Sequence, residues 1–186
     1  MLENNLDDAE RYLTKFAKLI RTVFENWQSE LIPLDKELKA LRRYLELEEQ
    51  RLRGKLTYSF ELESSMHSKI HVPPLLLQPF VENAVIHGIQ LLKSEGWIKI
   101  RTFRSGTDFC ILIEDNGIGI EASKKMKSET NPDHHSKGMQ LTKERVQLMR
   151  DLYRIPITLK ITDKLTFGKH LRGTHVLLTF HLNTRP

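Results

Sequence analysis

The run Asp115-Asn116-Gly117-Ile118-Gly119 follows directly on the apolar residues Cys110 to Ile113, so a carboxylate and two glycines stand at the end of a predicted strand. A carboxylate buried at a strand end can accept a hydrogen bond from the amino group of an adenine. Glycines two and four positions later let the main chain turn sharply and approach a ligand closely. The same residues also fit a plain Gly-rich turn with Asp115 as an Asx cap, so the motif gains meaning only from its company.

That company is threefold. In Gln78-Pro79-Phe80-Val81-Glu82-Asn83-Ala84-Val85-Ile86-His87-Gly88, a helix would set Asn83 and His87 one turn apart on one face, with Phe80, Val81, Ala84 and Val85 as the buried stripe. An asparagine oxygen is a hard ligand suited to Mg²⁺, which keeps most of its waters and bridges phosphates. His87 could reach a phosphate, and Glu82 the edge of the same site. Ser136-Lys137-Gly138-Met139 sits where a loop enters a helix, and free amides beside a lysine make an anion site there. Arg172-Gly173-Thr174 precedes the last strand. Each has a bland counterpart: a helix with a polar face ending at Gly88, a helix start capped by Ser136, and an ordinary turn.

The elements that must position these residues are legible from hydrophobic period. Up to Gly54 the pattern is helical. Asn4 and Asn5 can cap a helix with Leu6, Tyr12, Leu13, Phe16, Leu19, Ile20, Val23, Phe24 and Trp27 on its apolar face. Asp35 is the expected cap of a second helix, in which Leu34, Leu38, Leu41, Leu45, Glu48 and Leu52 form a short heptad seam. That seam predicts a surface for pairing two helical hairpins, the alternative being one apolar face packed within the chain. After Gly54 the period becomes two, and the order is strand (56–62), helix (75–92), strand (97–104), strand (109–114), helix (138–153), strand (157–161), strand (175–182). Residues 115–137 keep no period and are expected to be mostly loop. The order predicts an α+β domain, with helices on one face of a mixed, mainly antiparallel sheet. The boundaries so read are a helical segment over 1–53 and an α+β domain over 54–186.

Composition narrows the classes. Lys+Arg 29 against Asp+Glu 24 is a modest, scattered excess, without a basic recognition helix or zinc spacing, so nucleic acid is not an expected partner. One cysteine, Cys110, allows no intrachain disulfide and no Cys-based zinc cluster, which points to a reducing, cytoplasmic setting. No stretch reaches the roughly 20 apolar residues needed to cross a bilayer.

Taken in this order, the four motifs resemble those of the GHKL superfamily of ATPases, named for gyrase, the ninety-kilodalton heat-shock chaperones, histidine kinases and the MutL repair proteins. Residues 77–88 look like its N box, Asp115 to Gly119 its first glycine box, Ser136 to Met139 its second, and Gly173-Thr174 its closing Gly-Thr. Leu77-Gln78-Pro79 before the N box, Thr142-Lys143-Glu144-Arg145-Val146 after Gly138, and the upstream stretches 10–21 and 32–48 are similar to the LytS-like sensor histidine kinases. The resemblance spans nearly the whole chain.

It implies the two-layer α/β sandwich of the Bergerat type, preceded by a helical hairpin, and it implies ATP and Mg²⁺ as cofactors. Asp115 would read the adenine amino group, assisted through a water by Thr174, while Gly117 and Gly119 let the backbone wrap the nucleotide. Asn83 would ligate Mg²⁺; His87, Lys137 and the amide of Gly138 would contact phosphates; Glu82 would be the acid–base residue. Residues 121–137 would form a lid over ATP. A response regulator and a second copy of the chain are the implied protein partners, and a membrane only through a region absent from these residues. Two positions depart from the pattern. Ser136 stands where related kinases often have glycine, and no histidine precedes His67, so the phosphoacceptor is expected upstream, cut away with a sensor region. Hydrolysis of ATP with Glu82 as base, or a catalytically silent dimerisation module, are the alternatives.

Overall fold

The chain forms two units, Met1–Gly54 with Ser65–Leu77, and Lys55–Ser64 with Gln78–Pro186, so that residues 65–77 return to the first. The structure, a computed structural model, describes residues 2–63, 69–130, 137–168 and 170–182.

The first unit is a helical hairpin with a short strand pair. Helix α1 (Leu2–Trp27) packs against α2 (Leu34–Arg51), where Arg43 donates a hydrogen bond to Thr22. Between them β1 (Ile32–Pro33) pairs antiparallel with β3 (His71–Val72), Ile32 opposite Val72. That pairing corrects the expected start of α2. Pro33, at φ −56°, flanks the helix, and the first helical amide, that of Leu34, donates to the carbonyl of Ile70 at 2.8 Å. Asp35 therefore lies inside the first turn, where a negative charge meets the positive end of the helix dipole. The heptad seam is corrected too. Leu34, Leu38, Leu41 and Leu45 are all buried within the chain, whereas Leu13, Phe16, Ile20, Phe24 and Trp27 leave an exposed apolar stripe along α1.

The second unit holds a five-stranded sheet in the order β2-β4-β5-β7-β6, comprising β2 (Leu56–Leu62), β4 (Gly96–Ser105), β5 (Asp108–Asp115), β6 (Ile157–Asp163) and β7 (Thr174–His181). Only β2 and β4 run parallel; the other three pairings are antiparallel. Strand β5 is central, paired on both edges, and Phe109 to Ile113 are buried without interruption. A parallel pair needs a crossover. Here it contains α3 (Gln78–Ala84), which continues as a π-helical turn over Val85–Ile89. Helix α3 packs on β5, α5 (Lys137–Tyr153) packs on β6, and the two helices touch each other, so both lie on the same face of the sheet.

Two stretches differ from expectation. The helix predicted over 75–92 is confined to 78–89, because the preceding segment is held by another element. Leu75 has φ +61°, and the buried Glu37 of α2 accepts the amides of Leu75 and Leu77, each at 2.9 Å. In the predicted loop, Ile120–Thr130 is helix α4. It carries good helix formers without an apolar stripe, and its first turn is capped from elsewhere: the amide of Glu121 donates to Asp163 at 3.0 Å. Residues 131–136, including Ser136, lie outside the described residues. Among the described residues, no helix is long and apolar enough to cross a membrane.

Candidate functional site

Asp115 ends β5 with its side chain 2% exposed. One carboxylate oxygen accepts the amide of Gly117 at 2.7 Å, and the other accepts the amide of Thr174, the first residue of β7, at 3.1 Å. Burial opposes ionisation and raises its pKa from 3.8 to about 6; the amides of Gly117 and Thr174 and the charge of Lys164 pull in the opposite direction. The carboxylate is thus fixed in orientation and, with two lone pairs on each oxygen, retains capacity to accept from a ligand. Thr174, expected to assist through a water, touches Asp115 directly through its main chain.

The glycines around it are required by close approach. A Cβ on Gly117 would lie 2.5 Å from the Cα of Gly88 and 2.8 Å from the Asp115 carboxylate. Gly88 belongs to the π-helical turn, and its carbonyl accepts the amide of Ile118 at 3.4 Å. The π turn, closed by the Gln90 amide on the Val85 carbonyl, re-aims the end of this helix, as such insertions do at functional sites. The helix carrying Asn83 and His87 is thereby seated on the Asp115 loop. Asn83 lies five residues before Gly88, on the order of 8 Å along the axis. Asn83 and His87 are both half-buried. Glu82 is oriented by Gln78, whose amide donates to its carboxylate at 2.7 Å. Gly119 closes the loop just before α4, with the Asp163 carboxylate beside it. Lys137 and Gly138 open α5, as the helix start was predicted, and the side chain of Lys137 lies outside what the structure describes.

The structure adds contacts that no motif signalled. Asn116, the second residue of the glycine box, accepts the amide of Trp97 at 2.6 Å and so fastens the loop to β4. Lys164 is buried and donates to the main-chain carbonyl of Asp115 at 3.2 Å. Both are brought in by sheet pairing over 19 and 49 residues of sequence separation, which local pattern does not carry. Among the described residues, no group of three or more His, Cys, Asp or Glu side chains could hold a metal by itself. A divalent cation here would share its coordination with a ligand's oxygens.

Residues 1–56 match the histidine kinase family. Over 127 residues the chain is 32% identical to the sensor histidine kinase YpdA of Escherichia coli (strain K12), covering 68% of this chain and 22% of that protein. It is 31% identical over 121 residues to the sensor protein LytS of Oceanobacillus iheyensis, covering 65% of this chain and 20% of that one. The chain therefore spans about a fifth of the length of these two relatives. In fold it is similar to the histidine kinase domain of the Erythrobacter litoralis EL346 blue-light activated histidine kinase, with a TM-score of 0.54 and 18% identity over 92% of this chain and 75% of that domain. By sequence and fold together, the chain is a relative of the LytS-like sensor histidine kinases and has the α+β fold of histidine kinase catalytic domains.

Proposed function

We propose that this chain binds Mg²⁺-ATP and is the catalytic region of a protein-histidine kinase. It would direct the γ-phosphoryl group to a histidine outside these 186 residues, from which a response regulator receives it. The observation that carries this reading is the buried, oriented Asp115 carboxylate, held between the amides of Gly117 and Thr174 against a helix that bears Asn83 and His87.

In this reading Asp115 accepts from the amino group of adenine, and the close packing of Gly88 on Gly117 leaves the main chain itself as the floor of the base site. Asn83 supplies one oxygen to the metal, and His87, Lys137 and the Gly138 amide take phosphate oxygens. Gly119 is the pivot into the lid that begins with α4. Glu82, oriented by Gln78, stands ready to polarise the attacking imidazole. Mg²⁺, when bound with the nucleotide, neutralises phosphate charge; the protein's share of phosphoryl transfer is mostly positioning, which a few fixed groups can provide. The exposed stripe Leu13, Phe16, Ile20, Phe24 and Trp27 on α1, within the segment that matches the family, is the face through which two copies would pair.

Calorimetric titration with ATP, in Mg²⁺ and in chelator, tests the reading. Wild type is expected to bind more tightly with the metal. Asp115→Asn sets an amide donor against the adenine donor and should abolish binding in both conditions. Asn83→Ala should keep the metal-independent part and lose the rest. Unchanged affinity in Asp115→Asn would overturn the assignment. With His67 the first histidine of the chain, incubation with labelled ATP should leave no acid-labile phosphate on the isolated polypeptide.

A further inference from the structure

Lys164 follows β6 in a short 3-10 turn (Lys164–Thr166), and it is only 8% exposed. A lysine is seldom buried without partners, because desolvating an ammonium is costly. Here the ammonium donates to the carbonyl of Asp115 at 3.2 Å and lies 4.6 Å from the centre of the Trp97 ring, whose face attracts a cation. Its own amide donates to the carbonyl of Gly173 at 3.0 Å, the residue before Thr174. One residue thus ties together three places: its side chain meets the end of β5 and the start of β4, and its main-chain amide meets the entry to β7.

We propose that Lys164 is a positioning residue of the Asp115 site: it clamps the strand end through the Asp115 carbonyl and sets a buried positive charge beside the carboxylate. The consequence is that Asp115 meets an incoming base as an ionised acceptor. This rests on the reading of Asp115 as the purine-recognising group. The other charged or titratable groups on the elements around Asp115 are Glu82 and His87 on the helix, Lys99, Arg101 and Arg104 on β4, Asp108, Cys110 and Glu114 on β5, Lys160 and Asp163 on β6, and His175 and His181 on β7. Lys99 pairs with Glu61, Arg101 with Glu114, and Asp163 accepts the amides of Glu121 and Leu165. Lys164 is the charged side chain that draws the Asp115 carboxyl back toward the ordinary carboxylate range, against the effect of burial.

The test uses the full chain as wild type, Lys164→Met and Lys164→Arg. The Asp115 carboxyl carbon is followed by NMR across pH without ligand, and Mg²⁺-ATP affinity is measured near pH 6 and near pH 8.5. Lys164→Met should raise the Asp115 midpoint by at least about half a pH unit, and Lys164→Arg should hold it near wild type. Affinity in Lys164→Met should fall about twofold to tenfold near pH 6 and hardly at all near pH 8.5, because only the ionised fraction changes. An unmoved midpoint, or an equal loss of affinity at both pH values, would overturn the proposal. Should Lys164→Met not fold, the wild-type Lys164 ammonium resonance decides: it must shift at the Asp115 midpoint, and a resonance blind to that titration refutes the coupling. A midpoint raised by Lys164→Met, with a wild-type chain that binds no nucleotide at any pH, would leave Lys164 in its role and remove the nucleotide reading instead.

Discussion

Gly173 and Asp115 are in such close contact that a Cβ on Gly173 would lie 2.0 Å from the Asp115 carbonyl oxygen and 2.6 Å from its carbon. Both atoms are main chain and cannot give way without moving the end of β5. Gly173 also has φ +100°, which a residue with a side chain rarely adopts. Gly173→Ala should therefore destabilise the domain by more than about 3 kcal/mol, above the roughly 1–2 kcal/mol expected from backbone strain alone. Gly106→Ala is the control: φ is +61° there, but nothing lies within 4 Å of the added carbon. Chemical denaturation of the two variants separates the terms. Equal losses would mean that the contact with Asp115 does not matter.

Much of this site can be read from the sequence, and the reason is physical. Asp115, Gly117 and Gly119 are neighbours on one turn, and Asn83 and His87 lie one turn apart on one helix, so local spacing carries them. Period likewise gives the sheet strands, since alternation in β4 and a buried run in β5 each follow from which faces are covered. What spacing does not carry is contact made across the sheet. Lys164 reaches Asp115 over 49 residues and Glu37 reaches Leu77 over 40, each as an ordinary charged residue in its local sequence. Helix α4 is not legible in the sequence for a different reason: it is anchored at Asp163 and has no apolar stripe to announce it. The period of the seam on α2 fits both a second hairpin and a face packed within the chain, and its burial decides for the second, because periodicity shows that a face is covered and does not name what covers it.

The Asp115 carboxyl links stability to pH with a definite sign. Its pKa in the fold is about 6, above the 3.8 of the free group. The folded state therefore holds this proton more tightly than the unfolded state. The resulting stabilisation is full below about pH 4 and is lost as pH rises through about 6. The loss is on the order of 3 kcal/mol, the price of keeping an ionised acceptor buried. Asp115→Asn carries no such proton, so its stability relative to wild type should improve between pH 4.5 and 7.5, by about 2 kcal/mol. Comparing across pH cancels the constant cost of the amide it misplaces. Parallel stability–pH curves for the two proteins would show that burial does not hold this carboxyl protonated.

Glu37 makes a prediction in the helical unit. It is 2% exposed, and its two carboxylate oxygens each accept one amide, from Leu75 and from Leu77, at 2.9 Å. Those bonds hold the segment that leads into α3, including the unusual backbone of Leu75. Glu37→Gln keeps one acceptor and turns an NH₂ group toward the other amide, leaving a buried donor facing a donor. The expected cost is about 2 kcal/mol, seen as a lower denaturation midpoint with an unchanged slope. A variant as stable as wild type would mean that solvent, and not Glu37, satisfies these amides.

Asp163 links the two ends of the loop region at the site. One carboxylate oxygen accepts the amide of Glu121 in the first turn of α4, and the other accepts the amide of Leu165 in the 3-10 turn after β6, both at 3.0 Å. A helix without an apolar stripe gains little from packing, so this borrowed cap should matter more to α4 than a cap does to a buried helix. Asp163→Ala should cost roughly 1–2 kcal/mol, most of it local. Hydrogen exchange gives the decisive reading. The amides of Glu121 and Leu165 should exchange at least about tenfold faster in the variant, while those of the central strand β5 change far less. Protection at Glu121 equal to wild type would mean that α4 stands without its anchor, and uniform acceleration through β5 would mean that Asp163 supports the whole sheet rather than the base of this helix.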